Sequence, residues 1–297
     1  MGVEILKMNS YFEFNQIEKI DEIPRQVLAL AIKVVEPIIA DGLPDNLKHL
    51  VVATTCPDMV SPSLGQLIIE QLHEHFSELQ TIDMVQGCAG GVASMILASQ
   101  LCALNQTSAI VINADAAFKA TSKQHKISSI FGNGAFSCLM RYKDSNKSLM
   151  YSKSKQYKGL SEVVTVKLGH DADQIIMDNL SDMASDPRLH LGLSMNNDLA
   201  IKLLKHAENF YLEFVTASTK PDIMILHQVN PIIIKHLKSV FEKYDLEFID
   251  VSNRIGNCGA ATVGIALDLI KDKIEGKKVL LCSFGTGGVI SAGMWQN

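Results

Sequence analysis

The fold is decided by residues 79–104, whose sequence is LQTIDMVQGCAGGVASMILASQLCAL. A strand-like run over 81–85 leads into the glycine-rich pentapeptide 87–91, and an apolar run of helix length follows over 92–104. This order predicts a strand, a tight turn and a helix, with Cys88 on the turn. The small residues beside Cys88 permit positive φ and let another molecule approach the sulfur. Because thiolate is the nucleophilic form of cysteine and a helix N-terminus favours negative charge, the arrangement favours an acyl-cysteine enzyme.

The composition indicates a compact globular protein. The chain has 297 residues, of which 47% are hydrophobic and 20% charged, enough for one large core or two fused halves. The net charge of −5 argues against nucleic acid as the main partner. The N-terminus lacks a basic region followed by an apolar stretch, and the longest apolar runs are short or interrupted. We therefore expect no signal peptide, no membrane span and a cytoplasmic location.

Six cysteines are scattered along the chain without a Cys-x-x-Cys pair. This spacing disfavours a zinc knuckle, a thioredoxin-like motif and a secreted disulfide framework. Cys102, Cys138 and Cys282 lie in apolar runs and are expected to be buried core thiols. Cys258 is expected to be a small packing residue and not a second nucleophile.

Short apolar runs alternate with helical patterns along the chain, which predicts an α/β fold with covered sheets. Strands are predicted over 49–54, 81–85, 108–113, 135–142, 221–226, 247–251, 278–283 and 290–295, and helices over 62–74, 92–104, 193–214, 232–243 and 260–271. The polar segment 143–188 is interpreted as a lid or insertion. The predicted halves are residues 1–150, which carry Cys88, and residues 151–297, which begin with the lid segment.

An internal repeat supports this division. Ile82 and Asp83 lead to the 87–91 turn and a helix, and Ile249 and Asp250 lead to a similar turn over 256–261 and a second helix. A duplicated α/β unit would place Cys88 and Asn257 at equivalent helix N-termini that face one site.

A histidine and an asparagine complete a candidate catalytic set. His227 begins the HQVN segment (227–230), and Asn257 ends the NRIGN segment (253–257). Both follow predicted strands, where open α/β sheets place their sites. Each also has a simpler explanation, since Cys88 and His227 could be core residues and Asn257 could be a turn or helix-cap residue.

Six segments then identify a family. They are VVATT (51–55), CAGG (88–91), IFGNGA (130–135), HQVN (227–230), NRIGNCGAATV (253–263) and FGTGG (284–288). With these in family order, the chain resembles β-ketoacyl-acyl-carrier-protein synthase III of the thiolase superfamily from about residue 2 to the C-terminus. The resemblance implies a thiolase-like fold of two pseudo-repeated α/β halves in α-β-α-β-α layers. It also implies a homodimer that buries the strand near 108–113 against a second copy.

The resemblance implies a decarboxylative Claisen condensation, in fatty acid or specialised metabolite (polyketide-type) biosynthesis. Cys88 would take an acyl group from a thioester, and its backbone N–H would share an oxyanion hole with one N–H of the loop that contains Gly285, Thr286 and Gly287. His227 and Asn257 would donate hydrogen bonds to the enolate formed from a malonyl thioester. His227 would also assist removal of the thiol proton.

The resemblance also implies substrate-contacting positions. Phe284 would line the tunnel, Asn230 and Asn196 would lie where the family touches the pantetheine arm, and Met195 stands in place of a glycine there. Ser61 stands where an aromatic residue caps the acyl pocket across the dimer interface, so we expect acyl chains longer than acetyl. The substrates would be acyl-coenzyme A and acyl carrier protein, without a metal or redox cofactor. The short N-terminus lacks the family residues that contact the adenine end of coenzyme A.

Two other functions remain open at this stage. One is an acyltransferase of the same fold that uses a non-malonyl acceptor and forms no carbon–carbon bond. The other is a non-catalytic subunit of a heteromeric synthase. The lysines on the two helices that flank HQVN could dock an acidic carrier protein or could be solvated side chains; they are Lys202, Lys205, Lys235, Lys238 and Lys243.

Overall fold

The computed structural model describes residues 2–14, 26–117, 128–143, 148–168 and 191–296. The strands are β1 (Gly2–Glu13), β2 (Leu47–Ala53), β3 (Gln80–Met84), β4 (Ser108–Ala116), β5 (Asn133–Lys143), β6 (Ser148–Gln156), β7 (Val164–Leu168), β8 (Leu191–Met195), β9 (Ile223–Leu226), β10 (Glu247–Ile249), β11 (Lys278–Gly285) and β12 (Val289–Gln296). The α-helices are α1 (Gln26–Ala40), α2 (Leu64–Gln71), α3 (His73–Phe76), α4 (Gly90–Asn105), α5 (Asn197–Ala217), α6 (Pro231–Phe241), α7 (Ser252–Ile255) and α8 (Thr262–Asp268). Short 3₁₀ turns lie at Gly87–Ala89, Gly259–Ala261 and Thr286–Gly288.

The two large sheets have the same topology. The first has strand order β1-β5-β4-β2-β3, and the second has the order β6-β12-β11-β9-β10 in the same sense. In each sheet the first two pairings are antiparallel and the last two are parallel. The internal repeat predicted from the sequence is therefore a repeat of a whole five-stranded unit. The predicted division after residue 150 falls inside β6, whose pairing with β12 assigns residues 148–150 to the second sheet.

Three apolar layers hold the sheets together, which confirms the α-β-α-β-α arrangement. The middle layer joins α4 and α8 to the inner faces of both sheets, through side chains such as Val111, Met95 and Ile265. The outer layer of the first sheet contains α1 and α2. The outer layer of the second sheet contains α5 and α6, with Phe214 and Phe241 fully buried. Burying both faces of a sheet accounts for the nearly continuous apolar strands in the sequence.

Helix α4 is central, not peripheral. The stretch Gly87–Asn105 is long and apolar enough to cross a membrane by length and composition alone. It is mostly buried between the sheets, where α4 packs on β4 and α8, and core helices of globular proteins have the same composition. Cys102, Cys138 and Cys282 are buried, as expected from their apolar surroundings.

Some predicted elements differ in the structure. The predicted helix over 193–214 begins at residue 197, because Asn196 caps α5 and residues 191–195 pair with β7 as β8. The predicted helix over 62–74 divides into α2 and α3, and α2 starts from a capping box between Ser63 and Gln66. The last predicted helix ends at residue 268.

The expectation that the strand near 108–113 lies against a second copy is wrong. That strand, β4, is bonded to β2 on one edge and to β5 on the other, and all its residues are buried within the chain. It has neither an edge nor a face left for another molecule. The edge strands of this sheet are β1 and β3. Dimerisation itself stays a prediction.

Candidate active site

Cys88 lies where the sequence predicts a strand-turn-helix junction. β3 ends at Met84, Gly87 adopts φ +55°, and the 3₁₀ turn at Gly87–Ala89 runs into α4. Cys88 is half-buried, whereas Gly87 and Ala89 on either side are buried. The sulfur therefore lies at the N-terminal end of a 16-residue helix, where the helix dipole favours a thiolate.

The FGTGG loop packs directly on the Cys88 turn. A Cβ added at Gly285 would lie 2.5 Å from Ala89 Cβ, and a Cβ added at Gly87 would lie 2.5 Å from Thr286 Oγ1. Only glycine permits this approach on each side. Ser283 Oγ donates a 2.8 Å hydrogen bond to the carbonyl oxygen of Cys88. Gly87 and Gly285 are thus explained by contact between the two halves.

His227 follows β9 and is held by the same strand that contacts Cys88. Its backbone N–H donates to the carbonyl of Cys282 on β11, at 2.9 Å. The next side chain, that of Gln228, is fully buried and joins the ends of two strands: its Nε2 donates to Leu226 O at 2.7 Å, and its Oε1 accepts from Val251 N at 2.9 Å. The HQ pair therefore fixes the turn after β9 before the chain enters α6.

Asn257 is positioned by both its backbone and its side chain. Its backbone N–H donates to Ile130 O at 2.8 Å, and its carbonyl accepts from Gly132 N at 3.0 Å. Its side-chain oxygen accepts from Gly259 N at 3.0 Å. With the oxygen engaged, the Nδ2 amide is the donor that this side chain can offer to a ligand. The IFGNGA segment thus serves as the support of Asn257.

Asp115 joins the two halves beneath the site. It lies at the C-terminal end of β4 and is fully buried. Its Oδ1 accepts from Thr55 N at 2.6 Å and Cys56 N at 3.0 Å, and its Oδ2 accepts from Ala260 N at 2.6 Å. Burial raises the pKa of this carboxyl, and these hydrogen bonds oppose the increase. The sequence analysis did not single out Asp115, although an aspartate that ends an apolar strand is a usable signal.

All three predicted catalytic side chains line one apolar cavity of about 100 Å³. The FGTGG loop contributes Phe284, Gly285 and Thr286, and α5 contributes Leu203 and Leu204. The other lining residues are Thr55, Cys56, Ala117, Ile130, Phe131, Val163, Val164, Ala200, Val229, Ile233 and Gly259. No ionised side chain is among these lining residues. The contribution of α5 was not foreseen, because nothing local in its sequence distinguishes a cavity wall from a core face.

Burial favours the uncharged forms of Cys88 and His227. It raises the pKa of the Cys88 thiol to about 12, and the charge of Asp115 adds to the increase. Burial lowers the pKa of His227 to about 4. His227 is therefore a neutral imidazole near pH 7, and its Nδ1 has no hydrogen-bond partner in the part of the chain that the structure describes.

Several predicted substrate positions lie outside this cavity. Asn230 and Asn196 do not line it; each uses its side-chain oxygen to cap a helix, accepting from Ile233 N at 2.8 Å and from Leu199 N at 3.1 Å. Ser61 is exposed and does not line it either, so its predicted role concerns the pocket of a second copy. The side chain of Met195 lies outside the described residues.

The remaining predicted residues lie on the surface around the site. Gly287 has φ +76° and accepts a 3.2 Å hydrogen bond from Gln156 Nε2, on the outer side of the FGTGG loop. The five lysines on α5, on α6 and just after it are all exposed, and Lys243 forms an ion pair with Glu208. Cys258 is buried, and its thiol contacts Ile255 O at 3.2 Å, which fits a packing residue. Among the described residues, no group of three metal-ligating side chains occurs.

Proteins of similar sequence are known as synthases. A family model described as 3-oxoacyl-[acyl-carrier-protein] synthase III C terminal matches residues 216–296. A β-ketoacyl-[acyl-carrier-protein] synthase III of Desulfotalea psychrophila is 27% identical over 258 residues, covering 82% of this chain and 75% of that protein. The protein of the same name from Lactobacillus delbrueckii subsp. bulgaricus is 24% identical over 275 residues, covering 89% of this chain and 82% of that protein.

Solved structures with the same fold include members of this group. A β-ketoacyl-[acyl-carrier-protein] synthase III from Thermus thermophilus superposes with a TM-score of 0.79 at 19% identity, over 99% of both chains. A variant of OleA from Xanthomonas campestris superposes with a TM-score of 0.78 at 13% identity, over 100% of this chain and 99% of that one. The chain therefore shares the duplicated five-layer fold of these structures, and over most of its length it is similar in sequence to proteins named β-ketoacyl-[acyl-carrier-protein] synthase III, the family that its motifs resemble.

Proposed function

We propose that the protein is a condensing acyltransferase. In this reaction Cys88 accepts an acyl group from a thioester, and the acyl group then condenses with the enolate of a decarboxylated malonyl thioester to give a β-ketoacyl product. The observation that carries the proposal is that Cys88, His227 and Asn257 line a single apolar cavity closed by the FGTGG loop. The names of the relatives support acyl carrier protein as a partner and fatty acid synthesis as the setting.

Acylation requires a thiolate in a site that disfavours charge. Neutral His227 can take the proton of Cys88, and the helix N-terminus then stabilises the sulfur. The oxyanion of the tetrahedral intermediate would be held by the backbone N–H of Cys88 and an N–H of the loop from Gly285. A Cβ added at Gly285 would lie 2.5 Å from Ala89 Cβ and 3.0 Å from Ala89 N, so the loop packs closely on the Cys88 turn, which supports this pairing.

Condensation requires donors that stabilise an enolate without protonating its carbon. A neutral imidazole and a carboxamide have this property, and Asn257 offers its Nδ2 because Gly259 already holds its oxygen. Loss of carbon dioxide leaves the electron pair on the malonyl α-carbon. That carbon attacks the acyl-Cys88 carbonyl, and the Cys88 thiolate leaves.

The apolar lining of the cavity supports an acyl chain as its occupant. Burial of methylene groups contributes about 0.8 kcal/mol each, so such a lining favours hydrocarbon over polar groups. The volume of about 100 Å³ is smaller than the ~150 Å³ cavity that holds benzene in an engineered protein. Within a single chain, therefore, the cavity suits a short acyl group, and the longer chains expected from Ser61 would need a pocket shaped by a second copy.

The test is intact mass spectrometry after incubation with acyl-coenzyme A thioesters from short to long. One acyl group should add to the wild type and to Cys102→Ala, whose changed thiol lies on α4 outside the cavity, but not to Cys88→Ala. Adding malonyl carrier protein should then release carbon dioxide and form the β-ketoacyl product. Acyl transfer without carbon dioxide release would support the non-malonyl acyltransferase instead. Absence of any adduct, including with acyl carrier protein as donor, would support a non-catalytic subunit.

A further inference from the structure

The cavity contains a second thiol that the proposed reaction does not use. Cys56 is 3% exposed and lines the same cavity as Cys88. The other four cysteines are also free and buried, but none of them lines this cavity. Two thiols of different elements therefore share one small cavity.

The topology brings the turns that carry these two cysteines to the same end of the first sheet. β2 and β3 are neighbouring parallel strands with Ala53 opposite Met84, and Thr54 N–H continues the ladder to Met84 O at 3.4 Å. Such strands lie about 4.8 Å apart. Cys56 and Cys88 follow within four residues of this last pair, on turns that begin at the C-terminal ends of β2 and β3. A disulfide needs Cα atoms about 4.4–6.8 Å apart, and the spacing of the two strands from which these turns start falls in that range.

Further contacts keep the two turns together. A Cβ at Gly90, two residues after Cys88, would lie 3.4 Å from Ala53 Cβ, which is ordinary van der Waals contact. The backbone N–H of Cys56 donates to Asp115 Oδ1 at 3.0 Å, which holds its turn against the cavity. Burial raises the pKa of Cys56, and the charges of Asp115 and of the nearby Cys88 add to the increase.

We propose that Cys56 and Cys88 form a reversible disulfide when a hydroperoxide enters the cavity. The inference goes beyond the proposed condensation and uses only the reactivity of the two thiols. The disulfide would prevent acyl loading of Cys88, and it would also protect that sulfur from irreversible oxidation.

The reaction balances with one hydroperoxide per disulfide. The Cys88 thiolate attacks the peroxide oxygen, which gives a sulfenic acid and releases water once the leaving hydroxide takes a proton. The Cys56 sulfur then attacks the sulfenic sulfur, the S–S bond forms, and a second water leaves. The two thiols are oxidised by two electrons, and the peroxide is reduced by two. A dithiol reductant reverses the oxidation by exchange.

The first test reads the bond directly in the wild-type protein. After treatment with hydrogen peroxide and alkylation of the remaining thiols, intact mass should show the loss of two hydrogens. Peptide mapping without reduction should find residues 56 and 88 joined, and dithiothreitol should restore both thiols. If only Cys88 sulfinic acid accumulates, with no peptide joining 56 to 88, the proposal is overturned.

Matched variants separate this proposal from the proposed function. In Cys56→Ala, peroxide should convert Cys88 to the sulfinic acid, and dithiothreitol should no longer restore its alkylation by iodoacetamide. Cys102→Ala keeps both cavity thiols and should behave like the wild type. The proposal would be contradicted if dithiothreitol restored the alkylation of Cys88 in Cys56→Ala to the same extent as in Cys102→Ala. Each readout is a thiol mass or an alkylation yield, so none depends on whether the protein condenses acyl groups.

Discussion

At the residue scale, burial sets the protonation state of His227, the proposed base of this site. Burial in the apolar cavity favours the neutral imidazole and lowers the pKa of His227 to about 4. Cys88 is neutral for the same reason, with its pKa raised to about 12. The proposed proton transfer from Cys88 to His227 would create two charges in an apolar cavity. The helix N-terminus at Cys88 is the feature that stabilises one of them.

The lowered pKa of His227 predicts a stability change with pH. An unfolded histidine titrates near pH 6.5, whereas folded His227 titrates at about 4. Between these values the unfolded chain binds a proton that the folded protein does not bind. The free energy of unfolding should therefore fall as pH falls through this window, by up to about 3 kcal/mol from this residue.

Urea denaturation of the wild type and His227→Gln at pH 7.5 and pH 4.5 tests this expectation. Carboxyl groups titrate in both proteins, so only the difference between them isolates His227. The wild type should lose more stability than the variant on acidification. Equal losses would show that His227 is not held in its neutral form by the fold.

At the scale of elements, the two pseudo-equivalent helices meet at their N-terminal ends. A Cβ at Gly91, in the first turn of α4, would lie 1.9 Å from the carbonyl oxygen of Ala260, in the 3₁₀ turn before α8. A Cβ at the preceding Gly90 would meet nothing closer than 3.4 Å. One glycine of the CAGG motif is thus required by the contact between halves, and its neighbour is not.

This difference predicts opposite results for adjacent substitutions. Gly91→Ala should separate the two turns and destabilise the protein by about 1–3 kcal/mol, with loss of Cys88 acylation. Gly90→Ala should keep or raise stability, by up to about 1 kcal/mol, because alanine favours the helix. Thermal unfolding and acylation measured on both variants check this, and similar behaviour of the two would contradict the contact at Ala260.

Local patterns in the sequence were sufficient to predict most of the elements and the three side chains that the structure brings to one cavity. The sequence around Cys88 has the pattern of a strand, a turn and a helix. A polar motif that begins with His227 follows another strand. Both patterns are contained in short segments. The repeat of a turn and helix predicted the duplicated sheets for the same reason. These features could be predicted because each depends on residues close together in the chain.

The features that were missed depend on contacts between distant residues. Asp115 acts through hydrogen bonds to Cys56 and to Ala260, which is 145 positions away. The substrate contacts expected of Asn196 and Asn230 stay predictions, and both side chains also cap helices, a local role that any asparagine before a helix can take. The interior position of β4 follows from strand order, which the sequence does not state.

In the whole molecule, Asp115 joins the halves at the site that they share. One oxygen holds the turn after β2, and the other holds the turn before α8, close to Asn257. Its charge also raises the pKa of Cys88. The same carboxylate therefore fixes the geometry of the cavity and opposes formation of the thiolate.

These two effects can be separated in Asp115→Asn. The amide group must point a donor at buried backbone N–H groups on one side or the other, so the variant should lose about 1–3 kcal/mol of stability. Removal of the negative charge should at the same time lower the pKa of Cys88 and speed its alkylation by iodoacetamide at pH 8. A residue with a structural role alone would produce only the first effect.

The matched control is Asp222→Asn, which removes the same charge from an exposed carboxylate before β9, where Asp222 accepts from Lys278 N at 2.7 Å. Cys88 of this variant should be alkylated at the wild-type rate, because Asp222 and His227 lie at opposite ends of β9 and the lost charge is therefore not next to the cavity. If Cys88 in folded Asp115→Asn is alkylated more slowly than in the wild type, the electrostatic role of Asp115 is contradicted. Faster alkylation of Cys88 together with lower stability would show that Asp115, whose hydrogen bonds join the two halves, lowers the reactivity of the thiol that it helps to position.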